Sequence, residues 1–138
     1  YALDARAGKT LNDSLNAIGS WQSSTLKTTS VPNGGGLATV VDSITVEGGV
    51  YLIIALAKFD TNANGLRMVS IAQDSTALDS LWFISGSAAP TGSTSMQMIR
   101  FAHTTEGTHT FNLVVRHTGG SDLNVTTRMF AVCLRNKP

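Results

Sequence analysis

Glu47–Phe59, EGGVYLIIALAKF, decides how this chain is read. Two glycines, Gly48 and Gly49, interrupt the backbone, and Val50 to Ala57 follow without a charge before Lys58. A bilayer-spanning helix needs ~20 apolar residues, so the run is too short to be one. Its length and its valine, isoleucine and tyrosine content suit a buried strand. Successive side chains of a strand point to opposite faces. Val50, Leu52, Ile54 and Leu56 therefore share one face, and Tyr51, Ile53, Ala55, Ala57 and Phe59 share the other. Both faces are apolar, whereas a strand in an ordinary two-layer sheet protein has one wet face. Something must cover the second face. Nothing else in the sequence reads as a covering helix, so the expectation is another copy of the same chain.

Composition sets the outer bounds. A chain of 138 residues allows one domain with a sizeable core. Charged residues make up 14%, well under the usual ~25%. A net charge of +1 gives no broad electrostatic case for nucleic acid or for an anionic membrane, and neither is expected as a partner. The single cysteine, Cys133, excludes an internal disulfide and sits in an apolar run, as a small buried hydrophobe would. No signal peptide or transmembrane segment is legible, so no membrane insertion is expected. Asn124-Val125-Thr126 fits the glycosylation pattern, which is common by chance.

Upstream of the strand, residues Tyr1–Gly19 read as a helix. Leu3, Ala7, Leu11, Leu15 and Ile18 form one apolar stripe at three- and four-residue spacing. Gly8 weakens an isolated helix by about 1 kcal/mol, so this one should depend on partners, and Gly19 is a natural stop. The stripe fits the end of a short parallel coiled coil joining identical chains, or a helix packed on its own domain. Because the pattern begins within a helix, the chain reads as a piece of a longer protein. The segment Ala2-Leu3-Asp4-Ala5-Arg6-Ala7-Gly8-Lys9-Thr10-Leu11-Asn12 resembles a motif of bacteriophage tail-fibre and receptor-binding proteins, roughly ALDARQGKxLN. It departs at Ala7, where that family often has Gln. The motif usually lies just before a C-terminal head domain, so the resemblance implies an adhesin stem.

From Trp21 onward the period changes from helical to two. Strands are expected over Ser23–Val31, Leu37–Val46, the central run, Leu66–Gln73, Leu81–Ile84, Met96–His103, Thr108–His117 and Leu123–Leu134. Phe111, Leu113 and Val115 should point inward, with Asn112 and Arg116 outward. Turn signals every 8–12 residues suggest an all-β sandwich or jelly roll. Near its end the last strand again has two apolar faces: Phe130, Val132 and Leu134 against Met129, Ala131 and Cys133. If this strand and the central one are neighbours, their second faces could meet those of two other copies around a threefold axis. The layout resembles the C1q and tumour-necrosis-factor-like jelly roll, in which Gly-Val-Tyr opens the central strand. Gly49-Val50-Tyr51 matches that feature, and Phe130–Leu134 loosely matches the closing apolar strand. The implied molecule is a compact homotrimer: a helical stem over residues 1–19 and a β-sandwich head over residues 20–138. Its expected contact residues between copies are Leu11, Leu15, Ile18, Tyr51, Ile53, Phe59 and Met129.

A search for chemistry finds little. His103, His109 and His117 lack the spacing of a helical zinc motif, and no metal or cofactor is expected. His109 and His117 would lie about 26 Å apart on one strand, each at a surface or an edge. Gly86-Ser87 and Gly92-Ser93 lack the second glycine of a serine-nucleophile elbow. Gly34-Gly35-Gly36 precedes no helix and is a poor phosphate loop. Asp74 with Asp79, and Asp42 with Glu47, flank loops without a spacing that suggests a paired-carboxylate glycosidase. Asp60-Thr61-Asn62-Ala63-Asn64-Gly65 mimics half of a calcium loop but lacks an acidic twelfth ligand. No enzyme activity is expected. Sugar sites commonly set an aromatic ring against the sugar and fix hydroxyls with a few polar groups. On that basis Trp82, Asp79, Arg67 and His103 are the candidate ligand-binding residues, although Trp82 also suits a core position. Trp21 should pack beneath the head. The expected function is the receptor-binding head of a phage tail fibre or similar adhesin, extracellular on the virion, recognising a host-surface glycan or protein. A purely structural trimerisation cap is the alternative, and a glycan-cleaving enzyme a more distant one.

Overall fold

The run after Gly48 lies in the middle of the larger of two antiparallel sheets. The computed structural model describes residues 7–9, 18–33, 38–60, 66–78, 83–85 and 94–136. The described strands are β1 (Trp21–Ser23), β2 (Lys27–Val31), β3 (Thr39–Glu47), β4 (Gly49–Phe59), β5 (Arg67–Gln73), β6 (Phe83–Ser85), β7 (Thr94–His103), β8 (Thr108–His117) and β9 (Leu123–Asn136). One sheet has the order β1-β9-β4-β7, with β2 also paired to β9; the other has the order β3-β8-β5-β6. The protein is therefore all-β with antiparallel sheets. Of the expected helix over Tyr1–Gly19, residues 7–9 are described and helical, and residues 18–19 are described as a turn. The proposed stem, residues 1–19, thus lies largely outside the described residues.

Alternation sorts side chains between the two sides of each sheet. Tyr51, Ile53, Ala55, Ala57 and Phe59 of β4 point into a cluster with Val125, Met129, Ala131 and Cys133 of β9. The second sheet sends Ile44, Val46, Val69, Ile71, Phe111, Leu113 and Val115 into the same cluster. Both sheets sharing one core is compatible with a β-sandwich. Cys133 is buried, and the inward alternation expected for β8 is present. The expected strand Ser23–Val31 is instead two short strands, because the chain leaves β9 at Ser24 and rejoins it at Lys27.

Two polar devices fasten the sheets. A bulge between Val40 and Asp42 turns the Asp42 carboxylate inward, where it is 1% exposed. It accepts hydrogen bonds from Ser24 Oγ (2.7 Å) and Ser43 N (2.8 Å), and Lys27 Nζ lies 3.5 Å away. Ser24 Oγ in turn accepts from Met129 N at 2.8 Å, so one carboxylate joins β3 to the β1–β2 link and β9. At the opposite end of β3, Gly48 lies so close to the Thr105 carbonyl that a Cβ there would collide with it. Thr104 closes the contact: its Oγ1 accepts from Gly49 N (2.7 Å) and its own N donates to Gly49 O (2.8 Å).

Candidate functional site

The four residues expected to bind a ligand do not form one site in the described structure. Trp82 and Asp79 lie outside the described residues, as do residues 61–65 of the half calcium loop. Arg67 opens β5 but is only 1% exposed. Its guanidinium donates to Thr94 Oγ1 and to Asp60 O (3.1 Å) and stacks 5.4 Å above the Phe59 ring. Arg67 thus packs where β5, β7 and the end of β4 meet, and burial lowers its pKa. His103 is exposed at the far end of β7. At about 3.4 Å per residue, the nine steps from Thr94 put it roughly 30 Å from Arg67's partner. A single saccharide unit cannot touch both.

The histidines also differ from expectation. His117 is buried rather than at a surface: its Nε2 lies 3.1 Å from Val31 O, and Gly119 N donates to its Nδ1 at 3.2 Å. His109 joins a polar cluster with a carboxylate and a hydroxyl. Its Nδ1 lies 2.7 Å from Asp74 Oδ2, and its Nε2 lies 3.0 Å from Thr105 O and 3.3 Å from Thr105 Oγ1. Asp74 sits at φ 52°, a left-handed conformation that aspartate tolerates, and its Oδ1 accepts from Thr110 N at 2.9 Å. The hydrogen bond to Asp74, the bond to the Thr105 backbone and the carboxylate's charge raise the His109 pKa against some desolvation. The same hydrogen bond and that from Thr110 lower the Asp74 pKa. Carboxylate, imidazole and hydroxyl follow the order of a nucleophile triad. A general base needs a lone pair at Nε2 facing the hydroxyl, and here the Thr105 carbonyl, which can only accept, lies closer to that nitrogen (3.0 Å) than the hydroxyl does (3.3 Å), an arrangement that favours a proton on Nε2. Among the described residues, no group of three or more His, Cys, Asp or Glu could hold a metal ion. No described helix is long and apolar enough to cross a membrane.

The most distinctive surface is the outer side of the β1-β9-β4-β7 sheet. Strand pairing lays its side chains out in rows. Leu52 sits between Phe101 and Val132, with Trp21 beside Val132. In the next row Ile54 sits between Ile99 and Phe130. Phe101 is 66% and Ile99 62% exposed; Trp21 and Leu26 are similarly open. Trp21 tilts against Phe130 with ring centroids 6.2 Å apart, so it lies on this face rather than beneath the domain. A groove of about 510 Å³ crosses the lower rows, lined by Leu26, Leu56 and Phe130 together with Lys58, Gln97 and Arg128. A large contiguous exposed apolar surface is unusual on a protein that stays monomeric.

This layout corrects the expected contact set. Tyr51 is 7% exposed, and Ile53, Phe59 and Met129 are 0%, all inside the chain's own core. They cannot form a contact between copies. Leu11 and Leu15 lie outside the described residues, and Ile18 is exposed. The surplus face of β4 is the other one, carrying Leu52, Ile54 and Leu56. Its signal was in the sequence. Lys58 shares the parity of Leu52 and Ile54, and Arg128 shares that of Phe130 and Val132. Because Lys and Arg are seldom buried, those parities belong to the solvent side of the sheet. No protein-family model matches the chain, and a search of curated proteins gives no match either.

Proposed function

We propose that this chain is the self-assembling head of a phage tail fibre or similar adhesin, in which three copies pack through the outer face of the β1-β9-β4-β7 sheet. The observation that carries the reading is that face: Leu52, Ile54, Ile99, Phe101, Phe130 and Trp21 form an apolar surface that no described residue covers. Burial of this apolar area against a like surface is the favourable term for association, offset in part by the cost of ordering the copies. The C1q and tumour-necrosis-factor resemblance sets the number of copies at three. Strand order supports a jelly roll: β3 lies in one sheet, β4 in the other, β5 and β6 in the first again, then β7, β8 and β9 alternate.

The stem resemblance at Ala2–Asn12 supports placement on a virion, outside the cell, with a host-surface glycan or protein as partner. Gly19 N donates to Cys133 O and Cys133 N to Ser20 O, so the N-terminal segment enters beside the end of β9. Val31 pairs with Leu123 at the opposite end of β9. On this reading the receptor contacts that opposite end, where Asn33 N donates to Asp122 Oδ1 and Asn33 Nδ2 to Gly120 O. Three weak sites engaging together gain avidity of ~10²–10⁴-fold. Light scattering tests the assembly: the expected mass is three times the 14.5 kDa chain, and a monomer overturns the reading. Host-cell binding tests the role. Replacing Asn33 and Asp122 with Ala should reduce it, and Glu106→Ala at the other end should not. A second reading, a structural cap without receptor binding, is favoured by the dispersal of Arg67 and His103. A trimer that binds no host cell would establish it.

A further inference from the structure

Three turns converge on one imidazole at the end of the sandwich where the N-terminal segment enters. The turn after β5 supplies Asp74, the β7–β8 turn supplies Thr105, and the β3–β4 turn presses Gly48 against the Thr105 carbonyl. Each ring nitrogen of His109 faces an acceptor, Asp74 Oδ2 at 2.7 Å and Thr105 O at 3.0 Å. Only the imidazolium has a proton for both. A neutral ring keeps its proton on Nδ1, where the acceptor is charged and the bond stronger. Its Nε2 lone pair then points at the Thr105 carbonyl and repels it. The Thr105 hydroxyl, 3.3 Å from the same nitrogen, is placed to become the donor instead. The site therefore has two self-consistent arrangements that differ by one proton.

We propose that His109 is a pH-sensitive latch that, when protonated, holds the β7–β8 turn through the Thr105 carbonyl and releases it on deprotonation. The charged and titratable groups on the elements packed around it are Asp74 after β5, Glu47 at the end of β3, Glu106 in the turn and His103 at the end of β7. Glu47 Oε1 accepts from Thr108 Oγ1 at 3.2 Å, next to His109 in the chain. Of these, the Asp74 carboxylate favours the cation, through its hydrogen bond and its charge. The Asp74 turn has fastenings that do not titrate in this range: Asp74 N donates to Thr110 O at 2.8 Å, and Asn112 Nδ2 donates to Ser75 O at 2.9 Å. Deprotonation therefore loosens the Thr105 side and leaves the Asp74 side in place. The loosened turn also braces the start of β4 through Thr104 and Gly49.

The direction with pH follows from the shifts. His109 is raised, so its stabilising contribution is complete below the ordinary histidine value of 6.5 and is lost as pH rises through its raised folded value. Asp74 is lowered, so its contribution is present above the ordinary 3.8 and is lost as pH falls through its lowered folded value. The latch is firmest between these limits. The inference is independent of the proposed adhesin role.

Hydrogen exchange across a pH series, corrected for the intrinsic rate, tests it alongside an NMR titration of the His109 ring. The opening constant for the Thr105, Glu106 and Gly107 amides should rise ~3–10-fold as His109 deprotonates, while the Asp74 and Thr110 amides change little. In Asp74→Asn both the ring titration and the exchange transition should move together to lower pH. His109→Gln should abolish the transition. Corrected exchange that stays flat through the wild-type ring titration would overturn the proposal without any variant. A transition that stays in place when the Asp74→Asn ring titration moves would also overturn it.

Discussion

Gly48 carries no side chain because the Thr105 carbonyl occupies the place where one would be. The obstacle is backbone on both sides, so it cannot swing aside as a flexible side chain would. Gly48→Ala should therefore lower stability by about 1–3 kcal/mol, as overpacking does, read as a fall in thermal midpoint without loss of strand signal. A variant as stable as the wild type would mean that the two turns separate freely. The sequence marks Gly48 as a break in the chain, but the residue it must clear is Thr105, 57 positions later, and no local pattern encodes that approach. The same holds for Asp42, whose neighbours are unremarkable until the bulge at Val40 turns it inward. Arg67 and His117 look like polar residues on a wet strand face. Each is buried where a backbone carbonyl outside its own strand meets it, Asp60 O for Arg67 and, 86 positions away, Val31 O for His117.

At the level of the element, β4 is legible because eleven consecutive residues carry the composition of a central strand. Its neighbours are not, since register depends on which strands reach it. The structure pairs it along its whole length with β7 and β9. That pairing turns two isolated observations, an apolar second face on β4 and another on β9, into one surface. The parity of that surface was readable from Lys58 and Arg128, whereas size and hydrophobicity alone favoured neither side. Edge strand β7 presents Ile99 and Phe101 openly. Replacing both with Glu should leave strand content and the thermal midpoint of the isolated chain nearly unchanged, because neither side chain contributes to the core. It should shift the light-scattering mass to that of a single chain. A double variant that keeps the wild-type mass would show that copies associate elsewhere.

Across the whole molecule, fold class follows from alternation and turn spacing, while assembly and partner do not, because they depend on surfaces built from strands far apart in sequence. β9 shows how far apart. It pairs with β1 and β2 on one side and β4 on the other, so the earliest described strands wait for the latest. Removing residues 123–138 should abolish cooperative unfolding rather than trim an edge, which a denaturant titration would show as loss of the transition. During translation, β4 leaves the ribosome long before the strand that shields its inner side exists. Nascent polypeptide must travel through that interval with Tyr51, Ile53 and Phe59 bare to water. Closure of distant pairings of this kind takes milliseconds to seconds, long enough for polysome neighbours to stick to one another. Yield in a host cell should thus depend on holdase chaperones more than on the final stability of the folded product.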